Sequence, residues 1–184
     1  MEKAAEHHSN STKKISIINL SLGGGISDID DEAVRSLNDQ GIVVIAAAGN
    51  ENEDACLSSP ARAPVAITVG STKEEDDERS PFSNYGPCVN IFAPGQDVLS
   101  ASNESDTDYS ILSGTSMAAP LVSGIAARLV ARNPDSTPAD IASSLVCEAT
   151  TGIVNGLPDA GKQFSIVLAM IRLMGKAGGM QMRL

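Results

Sequence analysis

Apolar runs of strand length alternate along the chain with segments of helical spacing. Ile15 to Leu22 is β-branched and apolar and stops at three glycines, which predicts a buried strand entering a glycine turn. Ile42 to Ala48 is a second such run and ends at a Gly-Asn pair. Between them, Ser27 precedes an acidic turn and an apolar face that ends at Gly41, the pattern of a capped amphipathic helix. Two strands joined by a helix form a βαβ unit, so we predict a parallel sheet.

Shorter apolar runs continue the predicted sheet beyond this unit. We predict further strands at Val65 to Val69, Cys88 to Phe92 and Val98 to Ala101. Ala118 to Val130 has the spacing of a buried helix, and Thr137-Pro138-Ala139-Asp140 is a strong helix start. Phe164 to Met174 predicts a last helix, and residues 176–184 are expected to form a frayed tail. The predicted fold is a single α/β domain, a three-layer parallel sheet with helices on both faces.

Charge and hydropathy narrow the class of partner. The 184 residues carry a formal net charge of −10, which argues against nucleic acid or an anionic membrane surface as a partner. No apolar run is long enough to span a bilayer, and the residues after Met1 lack the apolar core of a signal peptide. We therefore expect no nucleic-acid partner and no membrane partner.

The stretch Ser-Gly-Thr-Ser-Met-Ala-Ala-Pro, from Ser113 to Pro120, carries the candidate chemistry. Ser116 is predicted at or near the start of a helix, where unpaired backbone N–H groups and the helix dipole favour negative charge. A serine hydroxyl placed there could attack a carbonyl, and nearby N–H groups would stabilise the oxyanion that forms. The alternative is that Thr115 or Ser116 simply caps the helix, which is a common role for both residue types.

Two predicted strand ends supply further groups for such a site. Functional groups gather at the carboxyl ends of the strands in an open parallel sheet. One end carries the candidate substrate-binding residues Ser21, Leu22 and Gly23, where glycine lets a substrate backbone approach the strand edge. The other carries the candidates Ala47, Ala48 and Gly49, followed by Asn50. The Asn50 amide and the Ser116 N–H would together form a two-donor oxyanion hole.

With these motifs in this order, the chain resembles the subtilisin-like serine proteases (subtilases), and especially their proteinase K branch. The resemblance extends from about Ile15 to about Ala169, and its most specific element is Gly-Thr-Ser-Met-Ala-Ala-Pro around Ser116. It implies a subtilisin-like fold and hydrolysis of a polypeptide substrate through an acyl-enzyme. It also implies that Ser116 is the nucleophile, that Asn50 stabilises the oxyanion, and that no cofactor is required.

The catalytic triad of the family cannot be completed within this sequence. The subtilase order is Asp, His, Ser, whereas the only histidines, His7 and His8, precede the first aspartate, Asp28. Their polar surroundings favour exposed residues of a connection. We interpret residues 1–184 as the C-terminal portion of one subtilase catalytic domain, incomplete and inactive alone, with the missing N-terminal half as its partner. Its sheet should then present an exposed edge.

Three cysteines leave the pairing open on their number alone. The surroundings of Cys56 and Cys88 resemble a secreted convertase of the proteinase K branch, the type-nine convertase, and this resemblance implies a disulfide between them. Two free thiols are the alternative. Cys147 is expected to be a small core residue. The resemblance also implies that the full-length protein is secreted, although this chain carries no signal peptide.

The resemblance bears on two further points, a metal site and a second function. The proteinase K branch has a calcium site with carbonyls near Pro64 and Ala66 and an aspartate near Asn90. Asn90 lacks that charge, which leaves a structural calcium ion doubtful. The second function is a non-catalytic, subtilase-like binding protein, because the convertase relative acts mainly by binding a receptor. The intact Ser116 motif and Asn50 favour the enzyme, since a pure binder needs neither.

Overall fold

The computed structural model describes residues 1–12, 15–158 and 166–167. Within them, its four helices are α1 (Glu2–Ser9), α2 (Asp28–Asp39), α3 (Thr115–Arg132) and α4 (Pro138–Glu148). Its strands are β1 (Ser16–Leu20), β2 (Gly24–Gly25), β3 (Ile42–Ala47), β4 (Ser58–Ser59), β5 (Ile67–Thr72), β6 (Ile91–Pro94), β7 (Val98–Ala101), β8 (Tyr109–Leu112), β9 (Thr150–Thr151) and β10 (Ile166–Val167). No helix in these ranges is long and apolar enough to cross a membrane.

The central sheet has the strand order β1-β3-β5-β6-β10-β9. All its pairs are parallel except β10 with β9. The register pairs Leu20 with Ala46 and Ala47 with Val69. The carboxyl ends of β1, β3 and β5 therefore lie side by side, along what we call the carboxyl edge of the sheet, which differs from the edge strand β1. The predicted parallel α/β fold is confirmed, and this edge is where its functional groups are expected.

Side chains alternate along β3 between two hydrophobic layers. Val43 and Ile45 pack in the layer that holds the apolar faces of α3 and α4. Val44 and Ala46 pack in the opposite layer with residues of α2. Every residue of β3 is buried, as expected for a parallel strand covered by helices on both faces. The three-layer architecture predicted from the sequence is therefore present.

Edge position explains why β1 is less buried than predicted. Within the described residues it pairs only with β3, and only Leu20 of its five residues is buried. The predicted strand boundaries also shift elsewhere. The third strand begins at Ile67 and not at Val65, and the fourth begins at Ile91 and not at Cys88. β1 is thus an edge strand of the sheet within the described residues.

Cys147 is exposed, so its predicted place in the core is wrong. Ile141 and Leu145, four residues apart, form the buried face of α4. Residue 147 lies two positions after Leu145, which turns it about 200° around the helix toward solvent. Of the predicted last helix, only Ile166–Val167 is described, and it is a strand. The rest of that helix and the predicted frayed tail lie outside the described residues.

The predicted start of α4 is a complete capping box. Thr137 Oγ1 accepts a hydrogen bond from the Asp140 N–H, and Asp140 Oδ2 accepts one from the Thr137 N–H at 2.8 Å. The Thr137 hydroxyl also donates to Asp140 Oδ2 at 2.7 Å. These bonds, the backbone one first, hold the pKa of the Asp140 carboxyl below its ordinary value. The carboxylate is the form that the helix start stabilises.

Replacement of Thr137 by alanine is expected to weaken α4 in a pH-dependent way. Loss of the N-cap should lower the free energy of unfolding by about 1 kcal/mol at neutral pH. The folded-state pKa of the Asp140 carboxyl is lowered, so the carboxylate stabilises the folded state. This contribution to the free energy of unfolding is complete above the unfolded-state pKa and is lost as the pH falls through the folded-state pKa. Urea unfolding at several pH values should show the difference between the two proteins shrinking in acid. A difference independent of pH would contradict this.

Candidate active site

The predicted nucleophile, the predicted oxyanion donor and one predicted substrate-binding residue meet at the carboxyl edge of the sheet. Ser116 Oγ donates to the Ser21 carbonyl at 3.3 Å, and Ser21 Oγ donates to the Ser116 carbonyl at 2.8 Å. On the other side, the N–H and Oγ1 of Thr115 donate to Asn50 Oδ1 at 2.9 and 3.0 Å. The start of α3 is thereby attached to the ends of both β1 and β3.

Ser116 is the second residue of α3, and neither it nor Thr115 caps the helix. The N-cap is Gly114, which makes no side-chain cap bond. The Thr115 hydroxyl points to the loop after β3, where it also accepts from the Gly49 N–H at 3.2 Å. The capping alternative for these hydroxyls is therefore wrong. Ser116 is half-buried, and its N–H belongs to the first helical turn, whose N–H groups have no partner within the helix.

The two Thr115 bonds fix the orientation of the Asn50 amide. Its oxygen accepts both donors, so its Nδ2 is the end that faces away from Thr115. Asn50 Nδ2 makes no hydrogen bond to any group in the described ranges, and the residue is exposed. Among the described residues, the Asn50 N–H₂ group and the Ser116 backbone N–H are thus two free donors at the start of α3. Two such donors are suited to stabilise a developing negative charge.

A cavity of about 200 Å³ opens beside Ser116. Its wall includes the predicted substrate-binding residues Leu22, Gly23, Ala47 and Gly49, together with Asn50, Thr115 and Ser116. Ser21 and Ala48 do not form part of this wall. Ala48 is fully buried behind it, where its N–H donates to the Val69 carbonyl at 2.9 Å. Glu51 and Glu53, which the sequence did not single out, also line the cavity.

Asn84 holds the loop after β3 in place, a role that sequence reasoning missed. Its Oδ1 accepts from the N–H groups of Glu51 and Glu53, both at 3.0 Å. Its Nδ2 donates to the Ala48 carbonyl at 3.0 Å and to Glu51 Oε2 at 2.9 Å. The same Glu51 oxygen accepts from the Asn50 N–H at 2.8 Å. Asn84 is fully buried, so these bonds are shielded from water.

The histidines lie far from Ser116. His8 Nδ1 is 2.7 Å from Ser16 Oγ, at the amino end of β1. Ser21, which contacts Ser116, lies five residues further along the chain, or about 16 Å at the strand rise of about 3.3 Å per residue. His8 is also buried, and not exposed as the sequence indicated, whereas His7 is exposed. Neither is within reach of the Ser116 hydroxyl.

Cys56 and Cys88 form a disulfide, as the resemblance implied, with their Cα atoms 5.3 Å apart. The bridge joins the loop after Asn50 to the segment before β6. Asp54 fixes the same loop, since its Oδ1 accepts from the Cys56 N–H at 2.9 Å. The chain that follows Asn50 is therefore held in place at several points.

The residues near Asn90 do not fit a calcium site. Asn90 Oδ1 accepts from the Thr68 N–H at 2.7 Å, so this oxygen is engaged in holding two strands together. The described part of the chain has no group of three or more His, Cys, Asp or Glu side chains placed to hold a metal ion. Calcium prefers several oxygens with carboxylates among them, and this donor set lacks a carboxylate.

The structure thus places a serine at a helix start beside an amide N–H₂ group, on a parallel sheet with helices on both faces. The sequence profile of the Subtilase family matches residues 1–164. The chain belongs to this family.

Relatives and solved structures agree with this assignment. The "Extracellular serine proteinase" of Thermus sp. (strain Rt41A) is 49% identical over 141 residues, which are 77% of this chain and 34% of the relative. "Alkaline protease 1" of Aspergillus clavatus is 48% identical over 138 residues, covering 75% of this chain and 34% of that protein. The crystal structure of a cold-adapted subtilisin-like serine proteinase matches with a TM-score of 0.81 and 40% identity, over 90% of this chain and 59% of that one.

A proprotein convertase also matches. Mouse "Proprotein convertase subtilisin/kexin type 9" is 43% identical over 142 residues, which are 76% of this chain and 20% of that protein. The chain spans about a third or less of the length of these curated relatives.

Proposed function

We propose that this chain supplies the nucleophile, the oxyanion hole and the substrate pocket of a subtilisin-like serine endopeptidase. The observation that carries the proposal is the pair of hydrogen bonds that the N–H and the hydroxyl of Thr115 donate to Asn50 Oδ1, at 2.9 and 3.0 Å. Thr115 immediately precedes Ser116, so the nucleophile and the amide donor are fixed relative to each other. Such preorganised donors are the main source of rate enhancement in acyl transfer.

In the proposed reaction, Ser116 Oγ attacks the carbonyl carbon of the scissile peptide bond. The carbonyl oxygen becomes an oxyanion and accepts hydrogen bonds from the Ser116 N–H and from Asn50 Nδ2. A histidine takes the serine proton and returns it to the leaving amine, and an aspartate orients that histidine. Water then hydrolyses the acyl-enzyme. No step needs a cofactor.

We propose that the histidine and the aspartate come from the other part of the catalytic domain, and that this chain alone does not hydrolyse peptides. His8 is held at the amino end of β1, far from Ser116. The chain corresponds to about a third of the Thermus relative. The edge of β1 would receive the neighbouring strand of that missing N-terminal half, which is thus the chain's partner beside the polypeptide substrate. Nucleic acid and membranes are not proposed as partners, given the net charge of −10.

We further propose that the full-length protein is secreted. Relatives include an extracellular serine proteinase and, in Vibrio alginolyticus, the "Alkaline serine exoprotease A", 47% identical over 139 residues. The disulfide between Cys56 and Cys88 supports the proposal, because such bonds persist in oxidising compartments.

A non-catalytic binding protein is the second candidate, favoured by the match to the mouse type-9 convertase and by the disulfide. A protein that only binds would gain nothing from the alignment of Ser116 with Asn50 Nδ2. The endopeptidase is therefore the better supported of the two.

Labelling with a neutral alkyl fluorophosphonate is expected to distinguish these functions. In the full-length protein that contains this chain, Ser116→Ala should abolish labelling, because the reagent modifies the activated nucleophile. Ser123→Ala is the matched control, since Ser123 lies on the same helix and donates to Asn19 Oδ1 at 2.9 Å. Equal labelling of the two variants would rule out Ser116 as the nucleophile. No labelling of the unaltered full-length protein would support the binding protein.

A further inference from the structure

Two acidic residues line a cavity whose wall includes four glycines. Glu51 and Glu53 line the cavity beside Ser116, together with Gly49 and residues 23–25. Glu51 is exposed and Glu53 is half-buried. Neither Lys nor Arg contributes to this wall within the described residues. The cavity therefore carries negative charge without a balancing cation in its lining.

Glu53 projects from a fixed backbone. Its N–H donates to the buried Asn84 Oδ1 at 3.0 Å, and its carbonyl accepts from the Tyr85 N–H at 3.0 Å. Three residues further on, Cys56 is joined to Cys88. These restraints hold the Cα atom of Glu53 in place, so its side chain starts from a defined position in the cavity wall.

Neither carboxylate is neutralised by an ion pair. The ion pairs between described residues involve Asp28, Asp31, Glu32, Glu78 and Glu148, and none of these pairs includes Glu51 or Glu53. The Glu51 carboxylate accepts from the Asn50 N–H and from the Asn84 amide, which orients it and leaves its charge in place. The Glu53 carboxylate has no hydrogen-bond partner among the described groups. It is the better placed of the two to meet a ligand.

We propose that this pocket selects lysine or arginine at the substrate residue whose carbonyl Ser116 attacks, with Glu53 as the specificity-determining residue. The inference rests on the proposed function, since it takes the cavity beside Ser116 as the pocket for that residue. The aliphatic stem of a long cationic side chain packs against Ala47 and the glycines, and its charged head reaches the carboxylates. At a partly exposed site, each carboxylate should favour the cation over a neutral side chain of equal length by up to about fivefold.

Peptide binding tests the pocket independently of catalysis. Fluorescein-labelled tetrapeptides that differ only in a C-terminal Lys, norleucine or Glu are titrated against the 184-residue chain by fluorescence polarisation. We expect the Lys peptide to bind about tenfold more tightly than the norleucine peptide, the Glu peptide to bind most weakly, and the Lys preference to shrink at high salt. Glu53→Gln should reduce that preference about fivefold. Asp39→Asn, which removes an exposed carboxylate at the opposite edge of the sheet, should leave it unchanged.

Three results would overturn the proposal: equal affinity for all three peptides, no binding of any, or a Lys preference that Glu53→Gln leaves unchanged. The same sequences, as anilide substrates of the full-length protein, test the proposed function separately. A Lys preference in binding without hydrolysis would retain the pocket and contradict the endopeptidase. Hydrolysis without a Lys preference would support the endopeptidase and contradict the proposed pocket.

Discussion

Replacement of Asn50 by alanine should lower kcat of the full-length protein by about 10²–10³ with little change in KM, the magnitude known for the corresponding donor of subtilisin. The reason is that Asn50 Nδ2 has no partner in the described residues and gains one only when the oxyanion forms. The alanine variant also loses the acceptor of the Thr115 N–H and hydroxyl. Thr115 is fully buried, so we expect a loss of about 1–3 kcal/mol in the free energy of unfolding as well.

Asn50→Asp separates these two effects. Aspartate keeps an oxygen in place to accept from Thr115 and removes the N–H donor, so stability should stay close to that of the unaltered protein. Its kcat should fall at least as far as that of the alanine variant, because a carboxylate repels the oxyanion. Steady-state kinetics on a peptide anilide, together with urea unfolding, measure both quantities. Asn50→Asp with unaltered kcat would show that the amide is not an oxyanion donor.

Local sequence patterns were sufficient to predict the parts of the fold that depend on local physics. A continuous apolar run located β3, because a strand that is buried on both faces needs no polar positions. The helical spacing of apolar residues located α3. The capping residues Ser27 and Thr137 marked two helix starts, because a cap bond spans only three residues. The βαβ pattern then fixed the parallel sheet, and with it the edge where Ser116 and Asn50 meet.

Contacts between distant residues could not be predicted in the same way. Asn84 forms bonds to residues 31 to 36 positions earlier, and nothing in its own neighbourhood in the sequence indicates them. Glu53 belongs to a polar loop in the sequence, and only the fold brings it to the same cavity as the glycines of the first strand end. His8 likewise reads as exposed because its partner, Ser16, belongs to another element. The position of Ser116 at a helix start was thus predictable from a motif, whereas the acidic residues that line the cavity beside it were not.

The active-site loop should depend most heavily on Gly49. Its φ is +103°, a conformation that L side chains rarely adopt. A Cβ at this position would stand 2.3 Å from Asn84 Nδ2 and 2.5 Å from Glu51 Oε2. Gly49→Ala therefore combines backbone strain with displacement of a buried amide that makes four side-chain hydrogen bonds. We expect it to lower the free energy of unfolding by about 3–5 kcal/mol.

Gly24→Ala provides the matched control for Gly49→Ala. A Cβ at Gly24 meets no atom within 4 Å, and the residue also lies beside the cavity. Its free energy of unfolding should therefore change by less than about 0.5 kcal/mol. Urea unfolding of both variants of this chain makes the comparison, and hydrogen exchange at the Glu51 and Glu53 amides should accelerate only in Gly49→Ala, because Asn84 Oδ1 is their acceptor. Equal stability of the two variants would show that the hydrogen bonds of buried Asn84 do not hold the loop after β3 in place.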